Sequence, residues 1–285
     1  MNTVYLDGNY LPMSEARISP MDRGFLFGDG IYEVIPSYNG ALVGFAAHLA
    51  RLQQGLDAIE IPLQVEHIQW REIAAQLIAR NGGGDLGLYF HVSRGADTKR
   101  HHAYPTGIAP TVFAFAYPIP PAPLPDKQWV KPYTVATALD LRWQRCNIKS
   151  TSLLGNVMHY QQGAVGGYNE TVLYNQYGEI TEASACNVFV VKDGIVATPL
   201  LDEQKRPGIT RYMLLDILRR DGSIAVVERI VTMEELRTAD EVWLSSSSKD
   251  IVPVIAVDGH PVADGRIGDV WLAAQTLYSA HKFEF

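Results

Sequence analysis

Cysteine, excess positive charge and long apolar runs are all scarce in this sequence of 285 residues. Its two cysteines, Cys146 and Cys186, are too few for a disulfide framework, which favours a reducing compartment. The 24 Lys and Arg residues are outnumbered by 31 Asp and Glu residues, and the net charge of −7 argues against nucleic acid as a partner. No run is apolar enough to span a bilayer and no secretory leader is recognisable. We therefore expect a soluble, cytoplasmic protein with no membrane partner.

The residues that are present have the composition of a globular protein, with 47% hydrophobic and 19% charged residues. A proline-dense stretch at residues 118–126 suits neither a helix nor a central strand, so it predicts a stiff interdomain linker. The linker would separate an N-terminal α/β domain, residues 1–117, from a C-terminal domain, residues 127–285. Strand and helix patterns mix in both parts without an internal repeat, which predicts a two-domain, mixed α/β (α+β) fold.

Hydrophobic periodicity predicts a strand and then a helix that both carry ionisable residues. Gly30–Tyr38 alternates in the manner of a strand, which would place Tyr32 and Glu33 on opposite faces. The next segment has leucines at helical spacing, and His48 and Arg51 would share one face of that helix. An arginine beside an apolar stripe requires an anion, and either a bound ligand or a salt bridge satisfies that requirement.

Lys149 is the first candidate for a chemically active residue. It follows a probable extended segment, residues 131–141, and precedes three hydroxylated residues and a helical pattern that begins at Leu153. A lysine at such a strand-to-helix junction is well placed to lose water and act as a nucleophile. The alternative is an ordinary solvated surface lysine, and the position alone does not exclude it.

Two stretches are candidate anion sites. Gly208, Ile209 and Thr210 open a predicted helix, where exposed backbone N–H groups favour a phosphate and glycine permits close approach. A run of four serines at residues 245–248 follows a predicted strand and would add hydroxyl donors. Each stretch has a simpler interpretation, as an ordinary helix start and as a solvated loop.

Glu182 and a basic loop supply further polar candidates. Glu182 lies in an apolar, strand-like context, where a carboxylate suits a buried cation or is a satisfied polar group near a turn. The sequence Arg100-His101-His102 offers guanidinium and imidazole donors for a carboxylate, or else is a solvated basic loop. No metal is expected there, because no acidic or thiol ligand stands at a suitable spacing and Lys99 adds to the positive charge.

None of these signals is strong by itself, but together they describe one chemical requirement. A lysine, a phosphate site, a buried acid and a carboxylate clamp are what pyridoxal 5′-phosphate needs when its substrate is an amino acid.

The motifs that carry these residues also resemble a known family. Residues 29–34, 48–52, 145–150, 181–189 and 208–211, in that order, resemble the fold-type IV pyridoxal-phosphate enzymes. That family includes D-amino acid transaminases, branched-chain aminotransferases and aminodeoxychorismate lyases. The resemblance extends over nearly the whole chain and implies the two-domain fold of D-amino acid aminotransferases.

The resemblance implies a role for each candidate. Lys149 would form a Schiff base with the cofactor and move the proton between the substrate Cα and the cofactor C4′. Glu182 would pair with the pyridine nitrogen of pyridoxal 5′-phosphate. The phosphate would be held by Arg51, Ile209, Thr210 and Ser247. Family members are homodimers with active sites at the subunit interface, and we expect the same here.

Within the family, the sequence is most similar to D-amino acid transaminases. Arg100 and His102 resemble a carboxylate trap that is completed by Tyr32 from the neighbouring subunit. The resemblance implies ping-pong transfer of the amino group of D-amino acids, such as D-alanine or D-glutamate, to 2-oxo acids. The alternatives are an (R)-selective amine transaminase, a branched-chain aminotransferase, an aminodeoxychorismate lyase and, outside enzymes, a phosphate-binding module.

A few residues depart from the pattern of D-amino acid transaminases. Ala185 and Cys186 stand where serines are common, and Arg206 replaces an aliphatic residue that packs near the cofactor ring. Ala47 replaces a glutamate, and His101 is an additional basic residue in the trap loop. These changes are expected to affect substrate range or cofactor retention rather than transamination itself.

Overall fold

The computed structural model describes residues 2–285, which form two compact units. The N-terminal unit is the chain up to Ala122 together with Ile148–Leu153 and Phe285, and the C-terminal unit is Pro123–Asn147 with Leu154–Glu284. Lys149 is therefore grouped with the N-terminal unit, although it follows the proline-dense stretch in sequence.

The N-terminal unit contains an antiparallel sheet of six strands in the order β2-β1-β6-β5-β3-β4. Where β3 pairs with β5, Tyr32 lies opposite His91 and Glu33 lies opposite Phe90. The strand bounds are β1 Thr3–Leu6, β2 Asn9–Pro12, β3 Gly30–Tyr38, β4 Ala41–Leu42, β5 Leu86–Ser93 and β6 Thr111–Pro118. The strand predicted at Gly30–Tyr38 is thus confirmed over its full length.

Helices cover one face of this sheet. They are α2 Phe45–Ala58 and α3 His67–Arg80, whereas the short helix α1, Arg23–Phe27, precedes β3. The apolar stripe of α2 is fully buried, with Leu49, Leu52 and Leu56 at 0% exposure. It packs in one core cluster with residues of α3 and with alternate residues of the strands, including Ile35 and Phe90. Apolar side chains at the helical spacing of 3.6 residues therefore pack in a single core against strand side chains at the spacing of two residues.

The C-terminal unit contains a larger sheet of nine strands. Its order is β12-β11-β10-β13-β14-β7-β8-β9, and β15 pairs with β14. Strand β7 runs parallel to both of its neighbours, β14 and β8. The bounds are β7 Tyr133–Leu139, β8 Glu170–Tyr174, β9 Ile180–Ala183, β10 Asn187–Lys192, β11 Ile195–Thr198, β12 Val226–Glu228, β13 Glu241–Ser246, β14 Asp250–Val257 and β15 His260–Pro261.

Four α-helices and a short 3₁₀ helix accompany this sheet. They are α4 Leu154–Val165, α5 Ile209–Asp221, α6 Met233–Thr238, α7 Asp269–His281 and the 3₁₀ turn Lys282–Glu284. The carboxylate of Glu241 accepts hydrogen bonds from the backbone N–H groups of Val270 and Trp271, at 2.9 and 2.8 Å, and so caps α7. No helix in the described part of the chain is long and apolar enough to cross a membrane.

Two short helices, α1 and α6, were absent from the sequence prediction. Helix α6 has a capping box, in which Thr232 and Glu235 bond to each other's backbone N–H groups. The Thr-x-x-Glu signature for such a box is present in the sequence, but the helix is only six residues long and has almost no periodicity to detect. Helix α1 is shorter still, and it ends at Gly28 in the left-handed region, with φ of 67°.

A buried ion pair between Lys282 and Asp250 links the C-terminal end of the chain to β14. The two charged groups are 2.6 Å apart and the residues are each 1% exposed. Burial raises the pKa of Asp250, and the opposing effect of the Lys282 charge does not cancel this rise. Removing one partner therefore leaves an uncompensated charge in the interior.

We predict that Lys282→Met lowers the free energy of unfolding by about 3 kcal/mol, as for other broken buried pairs, in urea denaturation. The double variant with Asp250→Asn should lose less than the single one, because no buried carboxylate is left unpaired. Lys192→Met is the matched control, since Lys192 pairs with Asp240 at the surface and should change little. An equal loss in the single and double variants would contradict the prediction.

Candidate active site

Lys149 is held against the first half of β3. The backbone N–H of Tyr32 donates to the Lys149 carbonyl at 3.1 Å, and Ser150 forms an isolated bridge with Ile31. The residue is 8% exposed, and its Nζ lies 3.7 Å from the ring centroid of Tyr32. An ammonium at this distance is attracted by the negative face of the ring. The lysine is thus a buried, positioned residue and not the solvated surface lysine of the alternative interpretation.

Residues after Lys149 fix the loop that carries it. The hydroxyls of Thr151 and Ser152 donate to the carbonyl of Gly28 at 3.0 and 3.1 Å. A Cβ atom at Gly28 would collide with Ser152, and the positive φ there also favours glycine. Gly28 therefore allows this loop to pack closely against the start of β3.

The face of the sheet that carries Tyr32 is aromatic. Tyr32 stacks on Tyr89 with ring centroids 5.7 Å apart, and Tyr89 contacts Phe115 at 5.0 Å. Burial, and next the nearby Tyr32, raise the pKa of Tyr89 to about 12, so its hydroxyl remains protonated at neutral pH. Lys149 consequently contacts the ring of Tyr32, which stacks on that of the protonated Tyr89.

Glu33 points to the opposite face and joins the two polar residues of α2. Its carboxylate accepts bonds from Nε and Nη2 of Arg51 at 2.7 and 2.8 Å, and Nδ1 of His48 is 2.7 Å away. All three residues are buried, and Glu33 is 0% exposed. Burial alone would raise the pKa of Glu33, but the charges of Arg51 and His48 outweigh it and hold the pKa well below its usual range. Burial lowers the pKa of His48 despite the neighbouring carboxylate.

The opposite orientation of Tyr32 and Glu33 is therefore confirmed, and Arg51 has its anion within the chain. Both interpretations of Arg51 remain compatible, because a guanidinium has five donors and can bind a carboxylate and a phosphate at the same time. Its role toward a phosphate stays a prediction, and the ion pair fixes where the guanidinium lies.

Glu182 also pairs with a buried cation, Arg142, which is not among the candidates that the sequence provides. Its Oε1 accepts from Nη1 of Arg142 at 2.5 Å, and its Oε2 accepts from the backbone N–H of Arg206 at 2.9 Å. Arg142 in turn binds Asp140, with Nη2 2.7 Å from Oδ2. The hydroxyl of Thr181 donates to the same Asp140 oxygen at 2.7 Å. Glu182 is thus one end of a buried chain of charge-assisted bonds.

This network of hydrogen bonds favours the charged form of Arg142. Burial by itself lowers the pKa of Arg142, but hydrogen bonding to Asp140 and the charge of Glu182 raise it above its ordinary value. The signal in the sequence was Asp140-Leu141-Arg142, an acid and a base two apart directly after a strand. Nothing in that spacing shows a partner 40 residues further along the chain, which is why Arg142 was missed.

The N-terminus of α5 has the geometry expected of an anion site. Gly208 is its N-cap residue, and no described side chain caps it. A Cβ atom at Gly208 would collide with Oδ1 of Asn187, so only glycine fits there. Ile209 and Thr210, the first two helical residues, are 7% and 4% exposed. The helix was predicted at this position, and its first N–H groups are the donors that an anion would use.

The serine run lies where β13 ends. Ser245 and Ser246 are the last residues of β13, and Ser247 follows in the turn before β14. The buried hydroxyl of Ser245 has no hydrogen-bond partner among residues 2–285. A buried hydroxyl without a partner is costly, and a bound polar group would satisfy it.

Cys186 behaves as a buried thiol. Burial raises its pKa to about 12, although the charge of Lys249, whose Nζ is 3.7 Å from the sulfur, opposes the rise. Burial likewise raises the pKa of Cys146 to about 11. Neither cysteine is therefore a thiolate nucleophile at neutral pH.

Arg100 and His102 lie together at the surface of the N-terminal unit. Both side chains are exposed and approach the ring of Phe27, with the Arg100 guanidinium carbon 5.0 Å and the His102 ring 5.4 Å from its centroid. His101 is also exposed. The structure thus brings the two predicted trap residues to one place.

Residues 30–257 match the family model of class IV aminotransferases. The chain is 35% identical over 273 residues to a D-alanine aminotransferase of Bacillus licheniformis, covering 96% of this chain and 94% of that protein. It is 34% identical over 279 residues to a D-alanine aminotransferase of Staphylococcus haemolyticus, covering 95% and 94%. The protein belongs to the class IV aminotransferases. As a member of that class it is a transferase that uses pyridoxal 5′-phosphate.

Solved structures agree on the fold. The branched-chain amino acid aminotransferase of Escherichia coli superposes with a TM-score of 0.89 at 23% identity, covering 99% of this chain and 94% of that one. The branched-chain aminotransferase of Thermoproteus uzoniensis gives 0.85 at 24% identity, with coverage of 99% and 95%. The fold-type IV resemblance and the mixed α/β fold predicted from the sequence are confirmed.

Each unit, taken by itself, contains residues with chemistry that the cofactor requires. Glu182 accepts hydrogen bonds from Arg142, Asn187 and the backbone N–H of Arg206, and a carboxylate, with about four lone-pair sites, can accept a further bond from a protonated pyridine nitrogen. The start of α5 and the hydroxyl of Ser245 are suited to a phosphate. Lys149 is the buried amine.

The cluster of Glu33, His48 and Arg51 generates a prediction about pH. Glu33→Gln should lower the free energy of unfolding at pH 7 by about 3 kcal/mol, because the charge of Arg51 is left uncompensated. A depressed native pKa contributes stability that is complete above the ordinary pKa of glutamate and declines as the pH falls below it. The difference between variant and wild type should therefore be about 1 kcal/mol smaller at pH 3.5, measured by urea denaturation without cofactor.

The exposed Glu66 provides the control, since Glu66→Gln should leave stability nearly unchanged at either pH. A penalty for Glu33→Gln that is the same at pH 7 and pH 3.5 would show that the carboxylate charge is not what stabilises the cluster.

Proposed function

We propose that the protein is a D-amino acid aminotransferase that moves the amino group of substrates such as D-alanine or D-glutamate to a 2-oxo acid in two half-reactions. The observation that carries the choice of substrate is the pairing of Arg100 and His102 beside Phe27, because a guanidinium and an imidazole together suit a carboxylate. The curated relatives named above, at 34% and 35% identity, are D-alanine aminotransferases. Tyr32 would complete this trap.

Lys149 is the proposed catalytic residue. When bound, the cofactor accepts the electron pair released at the substrate Cα. Lys149 holds the cofactor covalently before substrate arrives, and its released amine then moves the proton between the substrate Cα and the cofactor C4′. Its burial against Tyr32 supports this role, because a fixed amine loses little entropy in reaching either carbon.

Glu182 is proposed to accept a hydrogen bond from the protonated pyridine nitrogen. Arg142 supports the role by donating to one carboxylate oxygen while Asp140 fixes its guanidinium. An ionised carboxylate beside the pyridine nitrogen would favour the protonated ring. The phosphate would be bound by Arg51, Ile209, Thr210 and Ser247, the set that the resemblance implies.

Assembly and location follow from the same proposal. We infer a cytoplasmic homodimer, in which the trap residues serve the neighbouring subunit. The exposed apolar residues Leu154, Val157 and Met158 recur along one side of α4, and a partner subunit would remove such a surface from water. We also propose residues 1–117 and 127–285 as the functional domains, joined by the linker at 118–126.

The rival activities differ in what they demand of the trap. An (R)-selective amine transaminase would accept substrates that lack a carboxylate, and an aminodeoxychorismate lyase would release pyruvate without an amino acceptor. A branched-chain aminotransferase would prefer L-leucine. Half-reactions with D-alanine, L-alanine, D-glutamate, L-leucine and (R)-1-phenylethylamine, followed at the absorbance of the cofactor, separate these cases. The proposal expects D-alanine and D-glutamate to react fastest.

The first test of the proposal is Lys149→Ala. Turnover of D-alanine should fall by at least ~10⁴-fold, because both the covalent link and the proton transfer are lost. The visible absorbance of the enzyme-bound cofactor should shift to that of the free aldehyde, and the far-ultraviolet circular dichroism should not change. Lys127→Ala, at an exposed ion pair with Asp269, is the control and should retain full activity. Activity retained in Lys149→Ala would refute the assignment.

The second test is Arg100→Ala, which removes the charged donor of the trap. The KM for D-alanine should rise roughly 10- to 100-fold, as expected for the loss of a charge-assisted hydrogen bond. Lys99→Ala removes a positive charge from the adjacent exposed position and should raise KM less than threefold, by weaker long-range attraction. Equal KM values for the two variants would exclude Arg100 from carboxylate binding.

A further inference from the structure

We propose that Arg23 is a positioning residue that fixes the backbone of the loop at residues 100–102, so that Arg100 and His102 are presented together. The inference rests on the proposed function, because it concerns the same carboxylate trap. It adds a residue whose side chain acts through the loop and does not itself contact substrate.

The guanidinium of Arg23 binds two consecutive carbonyls of the loop. Its Nη1 donates to the His101 carbonyl at 2.6 Å and its Nη2 donates to the His102 carbonyl at 3.2 Å. The donor and acceptors are 78 and 79 residues apart in sequence. Because the planar fork of arginine binds two acceptors at once, it restrains both the position and the orientation of the loop.

The Arg23 side chain is itself fixed by a buried ion pair. Its side chain is 3% exposed, and its Nε donates to Asp29 Oδ2 at 2.8 Å. Asp29 is shared with Arg94, whose Nε is 2.8 Å from the same oxygen. The bonds of Arg94 to main-chain carbonyls go to Ile59 and Glu60, at the end of α2, and not to the trap loop. Arg23 and Arg94 thus pair with the same carboxylate, that of Asp29, but donate to backbone carbonyls in different segments of the chain.

The ring of Phe27 contacts Arg23 and also the two proposed trap residues. The Arg23 guanidinium carbon lies 4.8 Å from the centroid of the Phe27 ring, and the Arg100 guanidinium carbon lies 5.0 Å from it. The His102 ring centroid is 5.4 Å from the same ring. Anchored carbonyls and a shared aromatic ring together limit the rotamers of two side chains that are otherwise exposed.

This arrangement has a measurable consequence for substrate binding. A trap that is held in place before substrate arrives binds a carboxylate without a cost for ordering the loop. If the loop is mobile, the free-energy cost of ordering it reduces the affinity each time a substrate binds. The residues that carry out proton transfer are unchanged. Apparent affinity for D-alanine should therefore suffer more than the rate at saturation.

The test compares Arg23→Lys with Arg94→Lys, which both keep a positive charge for Asp29. Hydrogen exchange of the amides at residues 99–104 is measured without substrate, and single-turnover half-reactions with D-alanine give the apparent Kd and the saturating rate. Arg23→Lys should speed exchange in this segment and raise the apparent Kd about tenfold, the loss expected for one charged hydrogen bond, with a smaller change in rate. Arg94→Lys should leave the apparent Kd within about twofold, although its guanidinium carbon also lies 3.6 Å from the Tyr104 ring centroid.

A second variant, Phe27→Leu, leaves the buried ion pairs intact. It should raise the apparent Kd by about threefold, through loss of the cation–π contacts, and it keeps the proposal testable if Arg23→Lys does not fold. Unchanged exchange at residues 99–104 in Arg23→Lys, or faster exchange with an unchanged Kd, would overturn the proposal. Equal effects in Arg23→Lys and Arg94→Lys would also overturn it, since they would indicate general destabilisation.

Failure of the inference and failure of the proposed function give different results. If Lys149→Ala and Arg100→Ala behave as predicted while Arg23→Lys has no effect on the loop, only the proposed role of Arg23 is wrong. If Arg100→Ala leaves KM unchanged, the trap itself is wrong, and the hydrogen exchange still reports whether Arg23 holds the loop.

Discussion

The alternation of strand β3 is the constraint on which the functional residues of the N-terminal unit depend. Successive side chains of a strand point to opposite faces. Tyr32 therefore meets the ammonium of Lys149 on one face, while Glu33 enters the core and holds Arg51 on the other. A register shift of one residue would exchange the two and bury a phenol where a carboxylate must neutralise an arginine. Eight residue pairs between β3 and β5 fix the register against such a shift.

Buried charge is a recurring feature, and several buried ionisable side chains form ion pairs. Glu33 pairs with Arg51, Glu182 pairs with Arg142, and Asp29 pairs with both Arg23 and Arg94. Such groups add little net stability, because desolvation offsets most of their attraction. Their value is positional, since a charged side chain with two or more fixed bonds has one orientation. A pyridinium, a phosphate and a carboxylate each require a partner of that kind, and a hydrophobic core of equal stability would not provide it.

Periodicity and motif order in the sequence were sufficient for the strand of Tyr32, the helix of Arg51 and the helix start at Ile209. They were insufficient for Arg142 and Arg23, whose partners lie 40 and 78 residues away. Neither residue belongs to a periodic pattern, and α1, which carries Arg23, has only five residues. Long-range hydrogen bonds between an arginine and main-chain carbonyls leave no mark in residue type, because every residue has a carbonyl. The roles of individual residues toward the cofactor stay predictions that substitution must test.

Substrate choice depends on the parts of the chain that vary while the scaffold remains the same. The superposition on branched-chain aminotransferases at 23% identity shows a fold that is common to enzymes with different substrates. The proposed carboxylate donors, Arg100 and His102, lie on a surface loop, and loops on rigid scaffolds are where specificity changes most easily. A loop gains specificity only if it is ordered, because a mobile donor must be immobilised each time it binds. The buried Arg23–Asp29 pair supplies that order from the scaffold, so that a change in substrate can arise from the loop residues without altering the anchor beneath them.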